Sequence, residues 1–361
     1  MESSLYKTTE NSIRLQFRYS MITRILTGYY NDYFISKPIR FLARLYTLLL
    51  VIVVTAIILM HYDSKYIYPL LVGLVQFLMN ALVSMVTGER YFFDYCSKIR
   101  EICLKRKLHL SLNHPLSRLW FILTICVKPL LLLTMSGVTM FGVLSLYSWI
   151  IYVIAKFLWT SLDISHIIQM QIFEISYRTM KNLKIFLRKN LNYRYAQGKM
   201  RRDVKIIKEF ITIYKCLYEN VQTTFVPVKL LMSVSLCCSF VRLIFTCYLW
   251  SYLWIIASKE YTLFAAVLFE DVYACLMMCL PAILMDKTID EVNKMKIILG
   301  DQLLACDDDK LRVALEEALD YLDQRPIKMT ICRAVTVDAT LPFIFFSLCT
   351  TVIFHMINLL M

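Results

Sequence analysis

The sequence predicts an all-α membrane protein, and three features of its composition carry that prediction. Of its 361 residues, 58% are apolar and only 19% are charged, compared with roughly 25% charged residues in soluble domains. The mean hydropathy is +0.57, and only 7 Gly and 8 Pro interrupt the chain. The apolar residues form long unbroken runs rather than the short alternating segments of a transmembrane barrel. Since lipid cannot satisfy backbone polar groups, we expect these runs to be helices.

Seven apolar runs come close to, or exceed, the roughly 20 residues that cross a hydrocarbon core. We therefore predict seven transmembrane helices. The limit between the third and fourth rests only on the turn at 136–142, so a count of six or eight is left open. The predicted spans are Leu45–Met60, Tyr66–Val86, Leu119–Met135, Val143–Leu162, Val228–Ile256, Leu263–Met285 and Ala334–Met361.

The basic residues between these spans predict how the chain is oriented. Of the 40 Lys and Arg residues, 34 fall in the loops on one side of the membrane and 2 fall on the other side. Because cytoplasmic loops are the ones rich in Lys and Arg, the amino terminus is expected inside the cell and the carboxyl terminus outside. This bias also explains the net charge of +13, so no nucleic-acid partner is expected.

The cytoplasmic loops are predicted to be helical as well. Between Gly142 and Gly198 no Gly or Pro occurs, so the fourth helix is expected to extend far beyond the membrane. Two apolar stripes at helical spacing follow, one over 168–186 and one over 204–221. Pro227 is expected to mark the start of the fifth span. Residues 287–324 form a further amphipathic pair, split at Gly300, and the acidic run at 307–309 is interpreted as a helix cap rather than a metal site.

These patterns divide the chain into three predicted regions. Residues 1–162 and 228–285 form a transmembrane bundle of helices 1–6. Residues 163–227 and 286–333 form a cytoplasmic helical anchor, and residues 334–361 form the last helix.

Several ionisable residues lie inside the predicted spans, where charge is costly and usually faces the protein or water. Arg242 is expected to reach Asp271 or Glu270, either as a structural ion pair or as part of a ligand site. Lys128 and Lys156 are expected to extend towards the inner surface.

Aromatic residues in the outer halves of the spans suggest a small-molecule pocket, although the aromatic belt at the membrane surface explains such residues too. The candidate pocket residues are Tyr147, Tyr152, Tyr248, Glu270, Tyr273 and Gln76.

The last span contains one polar face. From Pro342 to Met361 the chain is long enough for a single crossing. Its polar residues lie within roughly 80° of one another on a helix; they are Ser347, Thr351, His355 and Asn358. Such a face suits a water-filled lumen, and hydrogen bonding between helices is the alternative.

The same segment carries a resemblance to a known family. It reads Thr351-Val352, then five residues, then Asn358-Leu359, close to the end of the chain. The insect gustatory receptor family ends on Thr-Tyr, five apolar residues and Gln-Phe, so Tyr, Gln and Phe are replaced here. The sequence also resembles that family at Arg325-Pro326 and in the spacing of Asp338 and Leu341.

The resemblance implies a ligand-gated, non-selective cation channel of four subunits, identical or mixed with other gustatory receptors, in the plasma membrane of a sensory neuron. It places Asn358 at the pore and Leu359 at an apolar gate. Typical sugar receptors of the family carry Glu where this chain has Ile353. The implied ligand is therefore a bitter or plant-derived tastant, and a sugar-sensing member is the alternative. Membrane lipid is an expected partner, and no cofactor is expected.

Three other classes of protein fit less well. A G-protein-coupled receptor has the opposite orientation, and Glu89-Arg90-Tyr91 follows the second span, whereas the ionic-lock triplet of that class follows the third. A transporter typically shows internal repeats and broken helices. An enzyme is not expected, because no nucleophile–base pairing or phosphate-binding loop is present in the sequence.

Overall fold

The computed structural model describes residues 17–33, 36–60, 67–105, 115–130, 146–191, 200–256, 261–331 and 335–360. Nearly all of them are helical. The helices are α1 (Arg18–Leu26), α2 (Lys37–Met60), α3 (Ile67–Thr87), α4 (Arg90–Lys105), α5 (Pro115–Ile122, followed by a π-helical turn Leu123–Val127), α6 (Leu146–Leu191), α7 (Met200–Ile256), α8 (Tyr261–Leu304), α9 (Asp309–Gln324) and α10 (Leu341–Leu360). Two short antiparallel strands, β1 (Thr330–Ile331) and β2 (Val335–Thr336), precede α10.

Four of the described helical segments are long and apolar enough to cross a membrane: Lys37–Met60, Leu70–Thr87, Asp203–Cys247 and Val272–Leu304. Leu341–His355 is a shorter apolar helix. The predicted all-α membrane fold is confirmed. The helix of the first span begins eight residues before the predicted Leu45, at Lys37, because the basic residues ahead of the apolar run are helical too. The cytoplasmic location of the amino terminus stays a prediction.

The first short helix, α1, was not predicted, and it is packed against the junction of α3 and α4. At this junction Gly88 and Glu89 both have positive φ, +57° and +54°. Such a conformation is unfavourable for Glu and persists where surrounding contacts hold it. Here the guanidinium of Arg24 contacts the Glu89 carboxylate, and both side chains are buried. The α1 segment therefore fixes the bend that ends the second predicted span.

Three long helices, α6, α7 and α8, form the framework. The two predicted stripes face inwards: Ile172 in α6 and Ile207 in α7 are fully buried in one large cluster that also includes α4, α8 and α9. One predicted boundary is wrong. Helix α8 continues through Gly300 to Leu304, so the predicted split at Gly300 does not occur. Helix α7 also runs without a break through Pro227, with Phe225 and Val228 on either side of it fully buried in the same cluster, and the start of the fifth span at Pro227 stays a prediction.

Aspartate side chains bond to the backbone where the last two helices begin. Asp308 precedes α9 and accepts a hydrogen bond from the backbone N–H of Lys310 at 3.1 Å, so the acidic run is the predicted cap. Asp338 accepts a hydrogen bond from the backbone N–H of Thr340 at 2.9 Å, just ahead of α10. The strand pair β1–β2 lies immediately before that turn.

Candidate functional site

Four charged side chains meet between α6, α8 and the segment that follows α5. We call Lys128, Lys156, Asp163 and Glu270 the polar cluster. The Lys128 ammonium contacts the Asp163 carboxylate, and its Nζ lies 3.8 Å from Glu270 Oε1. Lys156 Nζ lies 3.1 Å from the same Glu270 oxygen. Two cations and two anions balance, which is what allows charges to be buried in a membrane bundle.

The polar cluster is extended by Tyr273, one turn beyond Glu270 on α8. The Lys128 Nζ lies 4.9 Å from the centroid of the Tyr273 ring, within range of a cation–π interaction. The Tyr273 hydroxyl shares a 2.7 Å hydrogen bond with Thr124 Oγ1. Thr124 belongs to the π-helical turn Leu123–Val127, and such turns occur frequently at functional sites.

An apolar wall adjoins these polar groups. Trp120 of α5 packs on Tyr273 with ring centroids 5.7 Å apart, and Phe269 of α8 approaches the same ring at 6.3 Å. Tyr273 also belongs to a buried hydrophobic cluster that includes Ile164, Ile167 and Met277. A few polar groups on a mostly apolar and aromatic surface are typical of small-molecule sites.

A second polar contact joins α3, α6 and α7. The Gln76 side-chain amide donates to Ser235 Oγ at 3.1 Å. The Arg242 guanidinium stacks over Trp159 at 4.4 Å from the ring centroid. Trp159 itself lies against Gly73, where an added Cβ would sit 2.7 Å from the indole ring. Glycine at this position therefore lets α3 and α6 approach closely.

The structure brings together only part of the predicted pocket. Glu270 and Tyr273 share one site, whereas Gln76 bonds to α7. The side chains of Tyr147, Tyr152, Tyr248, Asp271 and Leu359 lie outside the described part of the chain, so their roles and the pair Arg242–Asp271 stay predictions.

The expectation for Lys128 and Lys156 is wrong. Instead of extending to the inner surface, both turn to Glu270, and Lys128 is only 3% exposed. The buried carboxylates of Asp163 and Glu270 provide a closer partner than water at the membrane surface. A sequence signal for this site did exist, because Lys156 and Asp163 are seven residues apart and so share one helix face.

The last helix, α10, packs through one face only. Phe345 and Cys349 are buried against Leu243 of α7 and Cys275 of α8. The four polar residues predicted for the pore are all exposed. Of these, Thr351 donates its hydroxyl to the Ser347 carbonyl at 2.8 Å. Within the described residues, the side chains of His355 and Asn358 have no hydrogen-bond partner.

A cavity of about 480 Å³ lies elsewhere, between α4 and the first half of α7. None of the predicted pocket residues lines it. Its walls carry Lys98, Glu101 and Glu219, with Asn220 buried at the base.

The family is decided by a comparison with known protein families. The family model described as 7tm chemosensory receptor matches residues 33–359. The chain belongs to this family. No curated protein matches the receptor in a sequence comparison.

Solved structures support the fold of the receptor. It is similar to the insect olfactory receptor OR5 from Machilis hrabei in complex with eugenol, with a TM-score of 0.62 and 14% identity over 97% of this chain and 99% of the other. It is also similar to a second structure of the insect olfactory receptor OR5 from Machilis hrabei, with a TM-score of 0.59 and 13% identity over 97% of this chain and 99% of the other. At this identity the likeness concerns the fold alone. As a chemosensory receptor, the protein belongs to a family of receptors rather than of enzymes.

Proposed function

We propose that this receptor is a ligand-gated, non-selective cation channel assembled from four subunits, each of which lines the pore with α10. The observation that carries the proposal is the exposed polar face of α10, which lies opposite a buried apolar face. In a single chain embedded in lipid, His355 and Asn358 would meet hydrocarbon, and each unpaired group of this kind costs about 2 kcal/mol or more. Four copies around a shared lumen would give these side chains water instead.

The proposed pore is weakly selective because of its composition. No carboxylate occurs over 343–361, so no ring of acidic side chains is available to select strongly among cations. Asn358 supplies polar oxygen atoms, and Leu359 is proposed to close the pore by excluding water. The anchor over 163–227 and 286–333 would hold the four subunits together on the cytoplasmic side.

The proposed ligand site is the polar cluster with its apolar wall. One of the similar OR5 structures contains eugenol, a small aromatic molecule with hydrogen-bonding groups. Tyr273 and Trp120 offer ring contacts for such a molecule, and Lys156, which is 24% exposed, offers a hydrogen-bond donor. The carboxyl-terminal motif supports a taste receptor, and Ile353 favours a bitter or plant-derived ligand over a sugar.

Currents recorded from cells that express only this chain test the proposal. Plant compounds and sugars are applied in turn, and Asn358→Ala is compared with the wild type at equal surface expression. We expect the variant to change conductance or to leak without ligand. Thr350→Ala is the matched control, since Thr350 is also exposed on α10 but points about 100° away from the centre of the polar face. Normal currents in Asn358→Ala, or equal defects in both variants, would reject the pore assignment.

The proposed orientation has its own test. A tag added after Met361 is stained in intact cells. We expect staining without permeabilisation, because seven crossings from a cytoplasmic amino terminus end outside. Staining that needs permeabilisation would overturn the orientation and would favour the topology of a G-protein-coupled receptor, whose amino terminus lies outside and whose carboxyl terminus lies inside.

A further inference from the structure

Basic residues converge where the first span begins. Lys37, Arg40 and Arg44 lie at the start of α2 with spacings of three and four residues, so they share one helix face. Lys37 and Arg44 are exposed and Arg40 is partly exposed. Arg90, the first residue of α4, faces the same region through Asp32, and its side chain is 65% exposed. We call these four residues the basic cluster.

Contacts around Asp32 hold the basic cluster together. The Arg90 Nε donates to Asp32 Oδ2, and the Tyr30 hydroxyl donates to Asp32 Oδ1. The guanidinium of Arg44 stacks over the Tyr30 ring at 4.7 Å from its centroid. Burial opposes ionisation of Asp32, but the bonds from Tyr30 and Arg90, with the charge of Arg40 nearby, outweigh it and hold the pKa of Asp32 below its usual range.

The charges of this region do not balance. Among the residues that the structure describes, these contacts place one carboxylate, Asp32, beside the four cations, and Asp94 acts on Arg90 from one turn further along α4. Glu89 is already paired with the buried Arg24. A positive excess therefore remains on side chains that are open to solvent. The amino terminus of α2 lies in the same place, and the dipole of a helix also attracts anions there.

The apolar residues next to the basic cluster indicate its depth. Phe41 and Leu42 are 67% and 60% exposed, and further exposed apolar residues follow along α2 up to Met60. Such a surface faces lipid tails in a membrane protein. The basic cluster thus lies where the tails end and the phosphate groups of the lipids begin.

We propose that the basic cluster binds the headgroup of an anionic phospholipid in the cytoplasmic leaflet, with the lipid tails along the exposed face of α2. Guanidinium groups bind phosphate oxygens in pairs of hydrogen bonds, and basic pockets beside transmembrane helices on the cytoplasmic side bind phosphoinositide headgroups. The proposal depends on the predicted orientation for the leaflet, but not on channel activity.

Binding of a short-chain phosphatidylinositol bisphosphate to the purified full-length receptor tests the proposal. Each basic side chain near a lipid surface contributes about 1 kcal/mol, so Arg40→Gln with Arg44→Gln is expected to weaken binding by about thirtyfold. The control is Lys205→Gln with Lys208→Gln, two exposed basic residues on α7 with the same change of charge. It is expected to bind as the wild type does.

Three further measurements on the wild-type receptor keep the test decisive if the double variant fails to fold. Binding should weaken as salt rises, since the contact is electrostatic, and phosphatidylcholine of equal chain length should not compete. Inositol trisphosphate, the headgroup without tails, should bind more weakly than the lipid. Salt-independent binding, equal loss in the control variant, or a headgroup that binds as tightly as the lipid would overturn the proposal.

Discussion

Replacing Lys128 by Met tests whether the polar cluster is held by charge balance. Met is similar in length to Lys, so the apolar part of the side chain is kept and only the ammonium is lost. The Asp163 carboxylate then loses the cation in contact with it, and Glu270 retains Lys156 alone. Removing one partner of a buried ion pair typically costs 3–5 kcal/mol, because the remaining charge stays buried. We expect a loss of about 3 kcal/mol.

Thermal unfolding of the detergent-solubilised receptor, followed by fluorescence-detected size exclusion, measures this loss. For a large domain, 1 kcal/mol corresponds to about 2–4 °C, so Lys128→Met should lower the apparent Tm by about 6–12 °C. Adding Asp163→Asn removes the orphaned charge and should restore at least half of the loss. Lys310→Met, an exposed lysine on α9, serves as the control and should change Tm little. An unchanged Tm in Lys128→Met, or no recovery in the double variant, would refute the reasoning.

Two further predictions concern α3 and the turn before α2. Gly73→Ala places a Cβ 2.7 Å from the Trp159 ring. It should therefore destabilise the receptor by about 1–3 kcal/mol in the same assay. Ala81→Gly is the comparison on the same helix, because Ala81 already carries a Cβ and its replacement creates no clash. Asp32→Asn should lower stability by about 1 kcal/mol, because it weakens the contact with Arg90. Folding lowers the pKa of Asp32, so the stability difference between the wild type and Asp32→Asn is fully present above the usual carboxyl pKa of 3.8. This difference should be the same at pH 6 and pH 8, and it should shrink as the pH falls below 3.8. A stability difference that grows on acidification would contradict this account.

Local sequence patterns were enough to predict the long apolar helices but not which side chains meet. The second span was predicted within one residue of α3 at each end, because a run of apolar residues needs no knowledge of its neighbours. The polar cluster needs the order in which α5, α6 and α8 pack, and that order leaves no trace in the spacing within one helix. Lys128 was assigned to the membrane surface because its partners lie 35 or more residues away along the chain, beyond the reach of a local pattern.

The amino-terminal segment shows a different limit. Residues 17–33 contain charged and hydroxyl-bearing side chains and lie outside the seven predicted spans, yet Met21, Tyr29 and Tyr30 are fully buried. Arg24 explains the difference. Its burial is offset by Glu89 and by the Ile164 carbonyl, which accepts from its Nη1 at 3.2 Å. Because the partners of such a polar residue lie far along the chain, a local sequence pattern predicts that it is exposed to solvent.

Pro227 makes helix α7 easier to bend at one point, although the helix is continuous. Proline has no backbone N–H, so one backbone hydrogen bond is missing near the middle of the helix. The arms on either side are each about 40 Å long. A change of only a few degrees at Pro227 would move the far end of either arm by about 2 Å or more, enough to carry a small displacement at one end of α7 across to the other.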